Sequence, residues 1–257
     1  MWLHSRQRDL QAEHRTGAIR ARISSGERVS PLADAVLGAV DGVVTTFAVV
    51  AGSTGGELPL AVVMILGMAN LIADGFSMAV SNYLSTRSRR EEVETARNDE
   101  YWQVEEFPEG EEKEIREIFR RKGFRGRVLS SIVEVITRNR DVWVDTMLLE
   151  ELDLQKTAPT PWRSATATFL AFVVFGFIPL LPFFVPVFPA AHLFAASCVL
   201  SCMGFAGIGV LKGLVLQRSP LRSGLQTLVI GGIAAALAYS VGVVLRVAFG
   251  ISSINAG

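Results

Sequence analysis

Asn70, Asp74, Met78 and Asn82 follow one another at intervals of four within an otherwise apolar segment. In a helix that spacing sets two amides, a carboxylate and a thioether along one line, with Ser77, Ser81 and Ser85 beside it. An ionisable side chain at the centre of a membrane helix costs about 2.5–3.5 kcal/mol, so its presence there points to an ion or proton path. Oxygen donors mixed with a soft sulfur suit a first-row transition metal. In the preceding apolar segment Asp34 and Asp41 stand seven residues apart, two helical turns, and so share a face.

A second candidate set lies in a polar block. Eleven glutamates fall between Glu91 and Glu117, interleaved with Arg and Lys. Such mixing also describes a plain solvated face. Met147 and Glu151 favour the metal reading: they are four apart and have Trp143, Val144 and Leu148 as companions, so a thioether and a carboxylate face one way on a partly buried helix. The chain has three histidines, His4, His14 and His192, and no Glu-x-x-His pair, which removes a ferritin-like di-iron centre. The block has neither His nor Cys, which removes the usual zinc sites. A metal held there meets carboxylates, amides and thioethers, ligands that suit labile Fe²⁺ or Mn²⁺. Cys198 and Cys202, four apart in an apolar segment, read as helix packing. No phosphate loop, nucleophile elbow or dinucleotide fingerprint is present. The expectation is an ion path rather than an enzyme, with no cofactor and no nucleic-acid partner.

The elements that must position these groups follow from hydropathy. Half of the 257 residues are hydrophobic and mean hydropathy is +0.36, yet 19% are charged, so oily and charged blocks are segregated. Five windows can span about 30 Å of hydrocarbon: Ala33–Gly52, Leu58–Leu84, Ser164–Val185, Ala190–Leu216 and Gly224–Phe249. The expected organisation is a basic arm at 1–30, spans one and two within 31–85, a polar helical domain at 86–161 and spans three to five within 162–257. Six arginines precede the first span, fifteen Lys and Arg lie between spans two and three, and Lys212, Arg218 and Arg222 sit around the last connection. By the positive-inside rule the N-terminus and polar block are cytoplasmic and the C-terminus is on the far side, with Arg246 snorkelling to the outer face.

Span two has no breaker after Asp74 and is expected to continue into the polar block as one long helix. Phe107-Pro108 ends it, a second helix runs to about Gly123, and a third region follows Gly126. Pro179, Pro182, Pro186 and Pro189 should kink or unwind the end of span three.

DGVVTTFAVVAG, ADGFSMAVSNYLS, PEGEEKEI, VDTMLLEEL and IPLLPF, in that order, resemble the vacuolar iron transporter family from roughly Pro31 onward. The resemblance implies export of Fe²⁺, and often Mn²⁺, from the cytosol in exchange for protons. It implies an all-α homodimer with five spans per subunit, the path between subunits, and a second span extended into a cytoplasmic three-helix metal-binding domain. Asp41 and Met78 match the family's transmembrane metal pair, and Glu100, Glu111, Glu114, Met147 and Glu151 match its cytoplasmic ligand positions. Gln103 stands where the family commonly has Glu, Leu148 where some members have Met, and Ser81-Asn82-Tyr83 where Gly-Glu-Tyr is usual. Asp34, Asp41 and Asp74 are the candidate proton acceptors.

The competing readings are a membrane-anchored metal buffer or ferroxidase built on the glutamates, and a scaffold without transport. Polar residues within two spans argue against both. Gly38 and Gly42 beside Asp41 are expected to let two first spans approach in a homodimer. With no evident sorting segment in the N-terminal arm, a prokaryotic plasma membrane is expected rather than a vacuolar one.

Overall fold

The computed structural model describes residues 14–24, 31–154, 160–185, 187–215 and 219–250, and every regular element among them is helical. In chain order α1 is Thr16–Ser24, α2 Leu32–Gly55, α3 Leu60–Glu106, α4 Pro108–Arg121, α5 Gly126–Thr137, α6 Arg140–Glu150, α7 Pro161–Gly176, α8 Leu181–Phe184, α9 Leu193–Val215 and α10 Pro220–Phe249. Single 3₁₀ turns stand at Ile178–Leu180 and Ala190–His192. The rest of the basic arm, Pro186, Leu216, Arg218 and the tail after Gly250 lie outside the described residues.

Five helical stretches are long and apolar enough to cross a membrane: Leu32–Gly55, part of Leu60–Glu106, Pro161–Phe184, Ala190–Gly213 and Leu221–Phe249. The chain is an all-helical membrane protein. α3 has 47 residues without a break. At 1.5 Å per residue that is about 70 Å, more than twice the hydrocarbon thickness of about 30 Å. Its second half, with Glu100 and Gln103, therefore lies outside lipid.

The chain divides into two compact units, 31–86 with 160–257, and 1–30 with 87–159. In the first, α2 is the centre, packed on α7, α9 and α10. Ala39, Val43, Phe47 and Ala51 of α2 join Phe205, Ile208 and Ala235 in one cluster, and Val50 joins Val63, Leu71, Phe172 and Leu180 in another. In lipid such contacts gain dispersion energy rather than escape from water, so close backbone approach matters most. A Cβ on Gly38 would sit 2.3 Å from the Thr168 carbonyl oxygen, and one on Gly42 2.4 Å from that of Phe172. Both glycines therefore serve the α2–α7 contact within one chain. The expected role for them, close approach to a second copy, is corrected by this packing.

The proline-rich end of span three unwinds as expected. α7 stops at Gly176, a 3₁₀ turn and the four-residue α8 follow, and Val185 is extended. The Ser197 hydroxyl donates to the Pro179 carbonyl at 2.7 Å, satisfying a buried acceptor of the irregular segment. Arg246 is ion-paired with Glu57 in the α2–α3 connection, so its charge is matched by a carboxylate.

In the second unit α4, α5 and α6 pack around Ile115, Leu129, Val133, Trp143, Val144, Met147 and Leu148, with Val104 of α3. Burial of each such side chain in water contributes roughly 1.5–3 kcal/mol. The region after Gly126, expected as one element, is two helices. The Asn139 carbonyl oxygen of the side chain accepts from the backbone N–H of Asp141 at 3.0 Å and of Val142 at 3.3 Å, opening α6 with an N-cap worth about 1 kcal/mol. Gly123 (φ 101°) and Gly126 (φ 57°) turn the chain between α4 and α5 in backbone conformations that suit glycine.

Candidate metal sites

In the polar unit Glu100 and Gln103 come from α3, Glu111 and Glu114 from the first turns of α4, and Glu151 from the residue that ends α6. Pro108 at the first helical position presets α4, and the positive helix N-terminus favours the carboxylates of Glu109 and Glu111. Burial nevertheless dominates. Glu100 is 4% exposed and Glu111 3%, and Oε2 of each is buried with no hydrogen-bond partner among the described residues. Burial first, then the charges of Glu111, Glu151, Glu114 and Asp99, pushes the Glu100 carboxyl up to about 7. Burial, then Glu114 and Glu151, does the same to Glu111. Glu151 is raised by burial, by the Glu114 charge and by a hydrogen bond with Glu114. Four carboxylates thus crowd one another with their acceptors incompletely satisfied, an arrangement that a cation or protons would relieve.

The other two expected ligands are placed differently. Met147 is wholly buried within the apolar cluster, and Gln103 is half-buried. Among the described residues no three His, Cys, Asp or Glu side chains stand as a ready-made metal cage. The glutamates would have to move inward to close around an ion.

A set of fasteners that sequence reasoning missed ties α6 to α3. Tyr101 donates to Asp141 at 2.7 Å, Arg97 pairs with Asp145 at 3.1 Å, and Arg140 donates to the Tyr101 carbonyl at 3.0 Å while covering the Tyr101 ring at 4.8 Å. Lys122 pairs with Glu150, joining the end of α4 to α6. These pairs hold the elements that carry Glu100, Glu111 and Glu151. They are long-range in sequence, so only their residue types, not their pairing, are visible in it.

In the membrane unit Asp41 and Met78 are both half-buried. Met78 packs against the cluster of Val50, Leu71 and Phe172. Asp74 is exposed on α3, as are Ser77 and Ser81, whereas Asn70 is half-buried with a side-chain N–H that has no partner among the described residues. Asn82 turns towards α2 and α7, donating to Asp34 at 3.1 Å and to the Thr168 hydroxyl at 2.7 Å. Asp34 is therefore held in an interhelical network, and Thr168 is a member that the sequence did not single out. Lys212 forms no ion pair with Asp34 or Asp41 among the described residues.

Five spans, carboxylates and a thioether inside two of them, and a crowded glutamate group on a connected helical unit define a polytopic membrane protein. The family model of the VIT family matches residues 32–243. The chain is 35% identical over 224 residues to the "Vacuolar iron transporter" of Toxoplasma gondii, covering 84% of this chain and 74% of that protein. It is 31% identical over 223 residues to "Vacuolar iron transporter 1" of Eucalyptus grandis (85% and 87% covered) and 32% identical over 216 residues to that of Arabidopsis thaliana (83% and 85%). The chain belongs to the VIT family, as its motifs indicate.

Proposed function

We propose that this protein carries Fe²⁺, and Mn²⁺ as well, across a membrane in exchange for protons. The observation that carries the reading is the pair of buried, unpartnered carboxylate oxygens of Glu100 and Glu111 within a group of mutually repelling glutamates. Family membership supports a transport role in preference to a stationary buffer or ferroxidase. In this reading Glu100, Glu111, Glu114 and Glu151 collect the ion, with Met147 and Gln103 behind them. Asp41 and Met78 form the crossing site, and Asp34 and Asp74 flank it. Carboxylates bind metal well only when ionised, so metal and protons compete for the same oxygens, which is a physical basis for exchange.

The active unit in this reading is a homodimer with a cytoplasmic N-terminus. Asp74, Ser77 and Ser81 are exposed in the single chain, and a lipid-facing carboxylate is costly. A second copy seated on that face would remove the cost and bring two Asp74 and two Asp41 side chains together. Fe²⁺ uptake into proteoliposomes with and without a pH gradient tests the proposal. Gradient-driven uptake supports it; metal binding without uptake would favour the buffer, and oxidation of Fe²⁺ without uptake the ferroxidase.

A further inference from the structure

An apolar groove of about 350 Å³ lies between α3 and α7, within the membrane unit. Phe76, Ala79 and Tyr83 line it from α3, and Trp162, Ala165 and Phe169 from α7. Ala79 and Ala165 are buried and form its floor, whereas Phe76 is 65% and Trp162 71% exposed. At one end the Tyr83 and Trp162 rings meet, their centroids 5.0 Å apart. Trp162 is at the start of α7 and Tyr83 near the end of the apolar part of α3. This end therefore lies at the membrane boundary, where aromatic rings with a polar atom settle. From Tyr83 to Phe76 the groove runs seven residues, about 10 Å, within one leaflet of a core about 30 Å thick.

We propose that the groove holds an acyl chain of a phospholipid, with the phosphate of that lipid at Arg163. The aromatic bridge closes the headgroup end, so a transmembrane helix about 10–12 Å across cannot lie along the groove without parting the rings, while an acyl chain can start beside them and run towards Phe76. Around α3, at 3.6 residues per turn, Phe76 points roughly 160° away from Asp74, so a second copy seated on the Asp74 face leaves the groove open to lipid. Arg163 supplies the charge complement. It is exposed, follows Trp162, stands one turn before the groove residue Thr166, and takes part in no ion pair among the described residues. An arginine at headgroup level attracts anionic lipid in preference to zwitterionic lipid. The bound chain would wedge between two helices tied on another side by the Asn82–Thr168 hydrogen bond, and so fix the spacing of the helix that carries Met78.

Native mass spectrometry of the full-length protein, released from bilayers mixing phosphatidylglycerol with phosphatidylcholine, tests this. The wild type should retain one phospholipid per chain with phosphatidylglycerol preferred. Ala165→Leu, which fills the groove, and Trp162→Ala, which removes an exposed wall, should each lower retention several-fold. Arg163→Gln should keep a lipid but lose the preference. Thermal melts identify any variant that does not fold, and Trp162→Ala, at an exposed position, then decides. Equal lipid retention by wild type and the folded groove variants overturns the proposal. So does a change in the number of chains per particle with lipid unchanged, which would assign the groove to a second copy.

Discussion

Asn82 and Asp34 are joined across two helices by a hydrogen bond of 3.1 Å, the amide N–H donating to the carboxylate. The same amide nitrogen donates to Thr168 at 2.7 Å, so both of its hydrogens are engaged and α2, α3 and α7 are tied at one level. Asn82→Leu should leave a carboxylate and a hydroxyl without that partner and cost about 1–3 kcal/mol. A lower Tm in detergent is the expected reading, and an unchanged Tm would show that the network adds no stability.

Asp41→Ala should abolish Fe²⁺ uptake while the protein folds, because removing a half-buried carboxylate with no cationic partner among the described residues relieves desolvation. Met78→Leu keeps the packing volume against Val50, Leu71 and Phe172 but removes the sulfur. Uptake should fall in proteoliposomes; normal uptake by Met78→Leu would make Met78 a packing residue.

Metal affinity of the polar unit should weaken as pH falls through about 7, where Glu100 and Glu111 take up protons. Stability in metal-free buffer has the opposite slope. The folded carboxyls, held near 7, bind protons that the unfolded chain has lost above its ordinary value of 4.5, so stability falls as pH rises between 4.5 and 7. Titration calorimetry and pH-dependent melts on the full-length protein, with Glu100→Gln and Glu111→Gln for comparison, check both signs. The double substitution should flatten each profile.

Gly42→Val should disrupt the chain itself rather than its association with a second copy. Its Cβ alone would meet the Phe172 carbonyl oxygen at 2.4 Å, and overpacking of this kind costs about 1–3 kcal/mol or more. Loss of folded protein in detergent is expected; a stable monomer in place of a dimer would contradict the packing.

Cysteine at Ser77 or Ser81, on the exposed face with Asp74, should crosslink between copies in the membrane. Cysteine at Val43, which is fully buried within one chain, should not. Failure of both Ser77→Cys and Ser81→Cys to crosslink would remove that face as the dimer contact.

Hydropathy alone determined the five spans and the uninterrupted α3, because a chain in lipid must satisfy its backbone hydrogen bonds within each helix and leaves a long apolar run as its record. The break at Phe107-Pro108 and the unwinding around Pro179 and Pro182 were likewise legible, since a missing N–H acts locally. The split of the region after Gly126 was not, although Asn139, a good capping residue, marked it. Residue types and spacing nominated Asp34, Asp41, Asp74 and Met78, and the family resemblance singled out the particular glutamates, but spacing along a helix says nothing about what covers each face. Only the tertiary packing decided that Gly38 and Gly42 serve α7, that Asn82 fastens Asp34, that Met147 sits in the apolar cluster, and that Glu100 and Glu111 share burial and charge. Those outcomes depend on contacts between residues far apart in the chain, and the free energy of a buried carboxylate is set by the neighbours that folding brings to it.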